Sequence, residues 1–149
     1  MIEKIKEIFG FAAPDSLTIE VREDTTANAF VPKAIPYVFR KDLMSIFLGW
    51  MMKAAGNDPL FIFGPTGSGK TSLPEQIAAR IKMPFYVAGC HEGMEPPDLF
   101  GSWMVENGTM KWQDGPLLAG LRDPAGAWVL LNEGDTLRPA CAIAIHRIL

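Results

Sequence analysis

The chain has 149 residues, a net charge of −3, 48% hydrophobic and 21% charged residues; that suffices for one globular domain with its own core. It has no basic run, which argues against nucleic acid as the main partner, since phosphate contacts need clustered Lys and Arg. No apolar run is long enough to span a membrane, and Glu3, Lys4, Lys6 and Glu7 interrupt any secretory leader; the two cysteines, Cys90 and Cys141, lack metal or C-x-x-C spacing, so a reducing cytoplasm is the simplest setting.

In chain order, Ile2, Ile5, Ile8 and Phe9 predict a short amphipathic helix ended by Gly10. Leu17 to Arg22 alternates as a strand does, and a polar stretch from Glu23 to Asn28 follows. Val31-Pro32 and Pro36-Tyr37-Val38-Phe39 then make an extended connector, because both prolines oppose a helix. Residues 1–40 thus read as an N-terminal extension. Asp42 is the expected cap of a helix that carries Leu43, Ile46, Phe47, Trp50 and Met51 and stops at Gly56.

Pro59 to Phe63 reads as a buried strand, and Leu73, Ile77, Ala78 and Ile81 recur at helical spacing. Between them, Gly64-Pro65-Thr66-Gly67-Ser68-Gly69-Lys70-Thr71 satisfies G-x-x-x-x-G-K-[ST], the phosphate-binding loop. Its glycines free backbone N–H groups to wrap a polyphosphate, and the N-terminus of the helix that follows adds partial positive charge. Lys70 supplies a cation for the β- and γ-phosphates, and the Thr71 hydroxyl is a Mg²⁺ ligand. Pro74 is a blemish: it removes the donor to the Lys70 carbonyl.

Pro84 to Ala88 is a second strand, so strand, loop, helix and strand form the unit of a parallel sheet. Cys90 to Gly101, with Pro96-Pro97, reads as irregular. Trp103 to Glu106, Asn107-Gly108 and Thr109 to Trp112 fit a two-residue hairpin with a type I′ turn. That register sets Trp103 opposite Trp112 and Val105 opposite Met110 on one face. Ordinary burial preferences put this face against the domain; an exposed contact surface is the alternative. Leu117, Leu118 and Leu121 suggest a short helix, Ala127 to Leu131 is a third, continuously apolar strand, and Pro139 opens a last helix with Cys141, Ile145 and Ile148.

An acidic pair after an apolar strand is the usual partner of such a loop, one acid serving the Mg²⁺ shell and the other the attacking water. Asn132-Glu133 stands in that place here. With the loop, the Val31-Pro32 and Pro36–Phe39 connector, Glu75 to Arg80, Asp98 to Gly101, Asp114 to Leu117, Glu133 to Asp135 with Arg138-Pro139, and His146 to Leu149, the sequence resembles AAA+ ATPases of the MoxR and dynein-related type. The likeness is nearest to the ATPase subunit of cobaltochelatase.

This resemblance implies a P-loop NTPase α/β fold, a three-layer α/β/α arrangement around a parallel sheet, with residues 41–149 as the nucleotide-binding core. The hairpin becomes an insertion directed at a partner or pore. A sensor strand, arginine finger and lid would lie beyond Leu149; the absent strand would sit mid-sheet, so residues 1–149 alone are expected to be loosely folded and without turnover. The expected ligands are ATP and Mg²⁺, held by Gly64 to Ser72, with Thr71 and Asn132 at the metal and Lys70 and Glu133 catalytic. The expected assembly is a homo-oligomeric ring acting on a protein substrate or partner subunit. Asn132 departs from the family's usual Asp and lacks its charge, although its carbonyl oxygen still accepts a hydrogen bond. A nucleotide-gated binding module without turnover is therefore the competing reading. Cys90, His91, Glu92 and His146 lack ligand-pair spacing, so solvated loop and helix residues are the plainer account. Arg138 and Arg147 read as surface salt-bridge partners before phosphate contacts of a neighbouring subunit.

Overall fold

Ile2 to Lys4 is a strand where the periodicity predicts a helix. In the computed structural model, which describes residues 1–22, 28–52 and 59–146, this strand (β1, Ile2–Lys4) pairs antiparallel with β2 (Thr18–Glu20), Ile2 facing Glu20. The helix α1 is only Ile5–Phe9, closed by Gly10 in the left-handed conformation. The apolar residues at 2 and 5 satisfied helical spacing, but the ladder to β2 supplies backbone partners that a single helical turn cannot.

Helix α2 (Lys41–Met51) starts two residues earlier than a cap at Asp42 allows: Arg40 is the cap residue. Asp42 instead takes a bidentate bond from the Arg40 guanidinium, at 2.6 and 3.3 Å, which holds its carboxyl below the ordinary value. The buried face is Met44, Phe47 and Leu48, whereas Ile46 is exposed. The stripe is thus rotated from the expected one, to i, i+3, i+4 from Met44. Gly56, the expected stop, lies outside the described residues, as do most of the polar stretch from Glu23 and the C-terminal residues Arg147 and Ile148.

Residues 59–63 belong to no sheet. Leu60 and Ile62 are half-buried, but Phe61 and Phe63 are 77% and 84% exposed, their rings stacked at 6.3 Å. A parallel strand is buried by its neighbours, and no strand among the described residues pairs with this segment. Helix α3 (Ser72–Ile81) follows the loop and buries Leu73, Ile77, Ala78 and Ile81. Pro74 is the third residue of the helix and, as expected, removes the donor to the Lys70 carbonyl. The bonds on either side, Leu73 N–H to Gly69 O (3.0 Å) and Glu75 N–H to Thr71 O (3.2 Å), are intact.

The chain divides into two compact units, Met1–Ala27 with Val31–Lys82, and Asn28–Phe30 with Met83–Leu149. The second holds the parallel pair β3 (Phe85–Gly89) and β6 (Trp128–Asn132), Phe85 opposite Trp128 and Gly89 opposite Asn132. Its core gathers Ala88, Cys90, Met94, Leu99, Leu117, Cys141 and Ile145. Between β3 and β6 the stretch expected to be irregular contains a helix, α4 (Pro96–Phe100). Its prolines sit in the first turn, which needs no N–H, and Glu95 and Asp98 form a reciprocal capping box. Helices α5 (Pro116–Arg122) and α6 (Pro139–His146) stand where the sequence puts them.

The hairpin β4 (Gly101–Glu106) and β5 (Thr109–Asp114) has the expected register, Trp103 opposite Trp112 and Val105 opposite Met110. Asn107 (φ 52°) and Gly108 (φ 76°) both have positive φ, as a type I′ turn requires. Burial of its apolar face is overturned: Trp103 is 62% and Trp112 41% exposed, and Val105 and Met110 are exposed as well. Cross-strand neighbours cover each other, the two indoles meeting edge to face at 5.6 Å, and Trp112 Nε1 donates to Asp114 Oδ1 at 2.6 Å. Replacing both tryptophans by Ser is therefore expected to cost roughly 1–2 kcal/mol, the scale of one aromatic pair and one hydrogen bond. A denaturant melt that loses the roughly 3–5 kcal/mol of a buried aromatic would show that this face is packed after all.

Candidate functional site

All three glycines of the loop at 64–71 have positive φ: Gly64 154°, Gly67 78° and Gly69 88°. A side chain at any of them would be strained, and one at Gly64 would also press on Ser68 Oγ, 3.3 Å away. The loop residues from Gly64 to Ser68 are exposed. Lys70 folds back across the loop, its Nζ donating to Gly64 O at 3.0 Å and Pro65 O at 2.9 Å. The ammonium is thus held at the loop's mouth by two neutral acceptors, which phosphate oxygens outcompete. Thr71 is the residue before α3 and Ser72 its first, so the amides that begin the helix follow directly on the lysine. The first unit therefore gathers Gly64 through Ser72 into one arrangement, an exposed glycine-rich turn with an ammonium across it and a helix start behind it.

Asn132 and Glu133 belong to the second unit. Asn132 ends β6 beside Gly89, and its carbonyl accepts the Cys90 N–H at 2.8 Å. Glu133 has left-handed backbone, φ 57° and ψ 37°, a conformation that costs a non-glycine residue about 1–3 kcal/mol and gathers at functional sites. The Thr136 N–H and hydroxyl both bond to its carbonyl, at 3.0 and 2.8 Å, and fix that backbone. Its side chain makes no hydrogen bond or ion pair among the described residues, and the residue is exposed.

Burial pushes the Cys90 thiol up, with Cys141 and Glu133 adding to it; the thiolate needed for metal binding is thereby disfavoured. Among the described residues no cluster of three His, Cys, Asp or Glu side chains is placed to hold a metal ion.

One residue that orders the connector gives little signal in the sequence. Gln76 on α3 is buried, 3% exposed, and works as a clamp. Its Oε1 accepts the Ile35 N–H at 3.1 Å and its Nε2 donates to Lys33 O at 3.4 Å. Arg80, one turn on, donates to Gln76 Oε1 (2.9 Å) and Ile35 O (2.7 Å). A polar residue amid the apolar stripe of Leu73, Ile77 and Ala78 was the available clue, since buried amides need partners.

Residues 59–149 match the family model described as AAA domain (dynein-related subfamily). The chain is 37% identical over 94 residues to Protein NorQ of Paracoccus denitrificans, covering 62% of this chain and 34% of that protein. Protein CbbQ of Hydrogenophilus thermoluteolus is 34% identical over 92 residues, 62% of this chain and 34% of its own. Midasin of Giardia intestinalis is 29% identical over 143 residues, 91% of this chain but 3% of that much larger protein. The chain thus spans about a third of the length of the first of these relatives.

Proposed function

We propose, from the premise that this chain belongs to the dynein-related subfamily of AAA domains, of MoxR type, that it binds ATP with Mg²⁺ at Gly64–Ser72 and hydrolyses it as part of a protein-remodelling subunit. The family has the P-loop α/β fold, generally uses ATP and Mg²⁺, and generally assembles into oligomeric rings. On this reading residues 41–149 are the nucleotide-binding core and residues 1–40 its extension. The observation that carries the reading is the loop itself: three glycines at positive φ, an exposed backbone and a lysine held across its mouth.

Lys70 exchanges its two carbonyl partners for phosphate oxygens, and the backbone amides from Gly67 to Ser72 complete the cradle. Mg²⁺ supplies charge neutralisation on the phosphates. Thr71 and Asn132 offer it a hydroxyl and an amide oxygen, both hard neutral donors of the kind this ion accepts. Glu133 takes the proton of the attacking water. Asn132 favours a second reading, a nucleotide-gated module without turnover, because an amide contributes no charge where an acid is usual. Phosphate release by the full-length protein separates the two. A chelatase-type subunit acting on a partner protein in the cytoplasm is the narrower role that the sequence resemblance favours. No helix among the described residues is long and apolar enough to cross a membrane.

Lys70→Ala tests the site. It is expected to reduce binding of a fluorescent ATP analogue below detection, because the phosphates lose the one cation that the loop supplies. Unchanged affinity would remove the P-loop reading.

A further inference from the structure

The connector before α2 runs against the phosphate loop at one point. Tyr37 brings its hydroxyl to 3.6 Å from where a Cβ on Gly69 would stand, an approach that the glycine leaves open. Among the described residues this hydroxyl has no hydrogen-bond partner, although it lies beside a loop whose residues from Gly64 to Ser68 are exposed. Its position is set from both sides. Two residues earlier, Ile35 is pinned by its N–H and C=O to Gln76 and Arg80. Two residues later, Phe39 is buried edge-on against Phe9 at 5.0 Å, with the Arg80 guanidinium 5.1 Å from its ring centroid. The Tyr37 ring itself leans on Phe39 at 4.9 Å. Gln76 and Arg80 belong to α3, the helix that issues from the loop. The clamp therefore ties the phenol's segment to the helix that begins two residues after Lys70.

We infer that Tyr37 is a nucleotide-contacting residue, its hydroxyl donating a hydrogen bond to a phosphate oxygen held at Gly69. The inference rests on the P-loop reading and extends the site to a residue outside the motif. A phenol is suited to this place: it donates without adding charge, and its ring is held by aromatic packing at little entropic cost. Its hydrogen bond to a phosphate oxygen would be charge-assisted and so stronger than a neutral one.

Tyr37→Phe removes the hydroxyl and keeps the ring on Phe39. Titration of the full-length protein with a fluorescent ATP analogue, and competition by inorganic tripolyphosphate, should both show affinity about tenfold weaker, equivalent to about 1.4 kcal/mol. The melting temperature without nucleotide should not move. Wild-type affinity in Tyr37→Phe, with binding lost in Lys70→Ala, would overturn the inference and leave the P-loop reading standing. A loss confined to ATP and absent for tripolyphosphate would overturn the phosphate contact. A fall in nucleotide-free stability that accounts for the weakened binding would make Tyr37 a structural residue and overturn it too. Binding that survives Lys70→Ala would take down the site and this inference together.

Discussion

Glu133→Gln in the full-length protein is expected to leave ATP binding intact and to lower turnover by about 10²- to 10⁴-fold, the range for losing a positioned general base. The amide keeps the shape of the side chain but cannot accept the proton of water. Because the backbone at Glu133 is held left-handed by two bonds from Thr136, Gln inherits the same position and the same strain. Binding and folding should therefore be spared while chemistry is lost. Steady-state phosphate release beside a nucleotide titration reads both. Turnover within a few-fold of wild type would assign the base to another residue, or show that hydrolysis is not what the site does.

Gly101→Ala is expected to destabilise the fold by roughly 3–5 kcal/mol, adding overpacking to backbone strain. Gly101 joins α4 to β4 at φ 123°, and a methyl there would overlap the Gln113 carbonyl oxygen and stand 2.9 Å from Gly115 N. These are backbone atoms of β5 and of the residue that follows it, and cannot swing aside. Gly108 at the hairpin tip is the control: it too has positive φ, but nothing lies within 4 Å of its absent side chain. Gly108→Ala should therefore cost only about 1 kcal/mol, the left-handed penalty for one residue. Equal denaturation midpoints for the two variants would refute close backbone packing at the hairpin's base.

What the sequence made legible was encoded over short distances. The loop is contiguous and its glycines declare their own conformations. Asn107-Gly108 alone sets the hairpin register, since two residues at positive φ leave the strands one way to pair. The capping box at Glu95 and Asp98 is equally local, but Pro96-Pro97 reads as a helix breaker unless it falls in a first turn, as it does here. Misjudged features depended on distant partners. Ile2 becomes a strand residue because residue 20 is opposite it, and Ile46 faces outward because Met44 and Leu48 take the core. The run 59–63 has the residues of a buried strand, yet burial is conferred by neighbours that no local pattern contains. Polar residues were hardest: Gln76 reads as a helix former until the backbone it clamps is seen.

The hairpin leaves the domain and returns to it at a single point. Gly101 is opposite Asp114, and the Gly115 N–H closes on Phe100 O at 3.0 Å. A segment whose ends coincide adds nothing to the path from α4 to α5, so its length is uncoupled from the domain beneath it. Each residue pair added or removed would change the reach of the tip by about 3.4 Å, and two pairs would restore the alternation that keeps Trp103 and Trp112 on one side. The arm can thus be lengthened or shortened while α4 and α5 stay where they are.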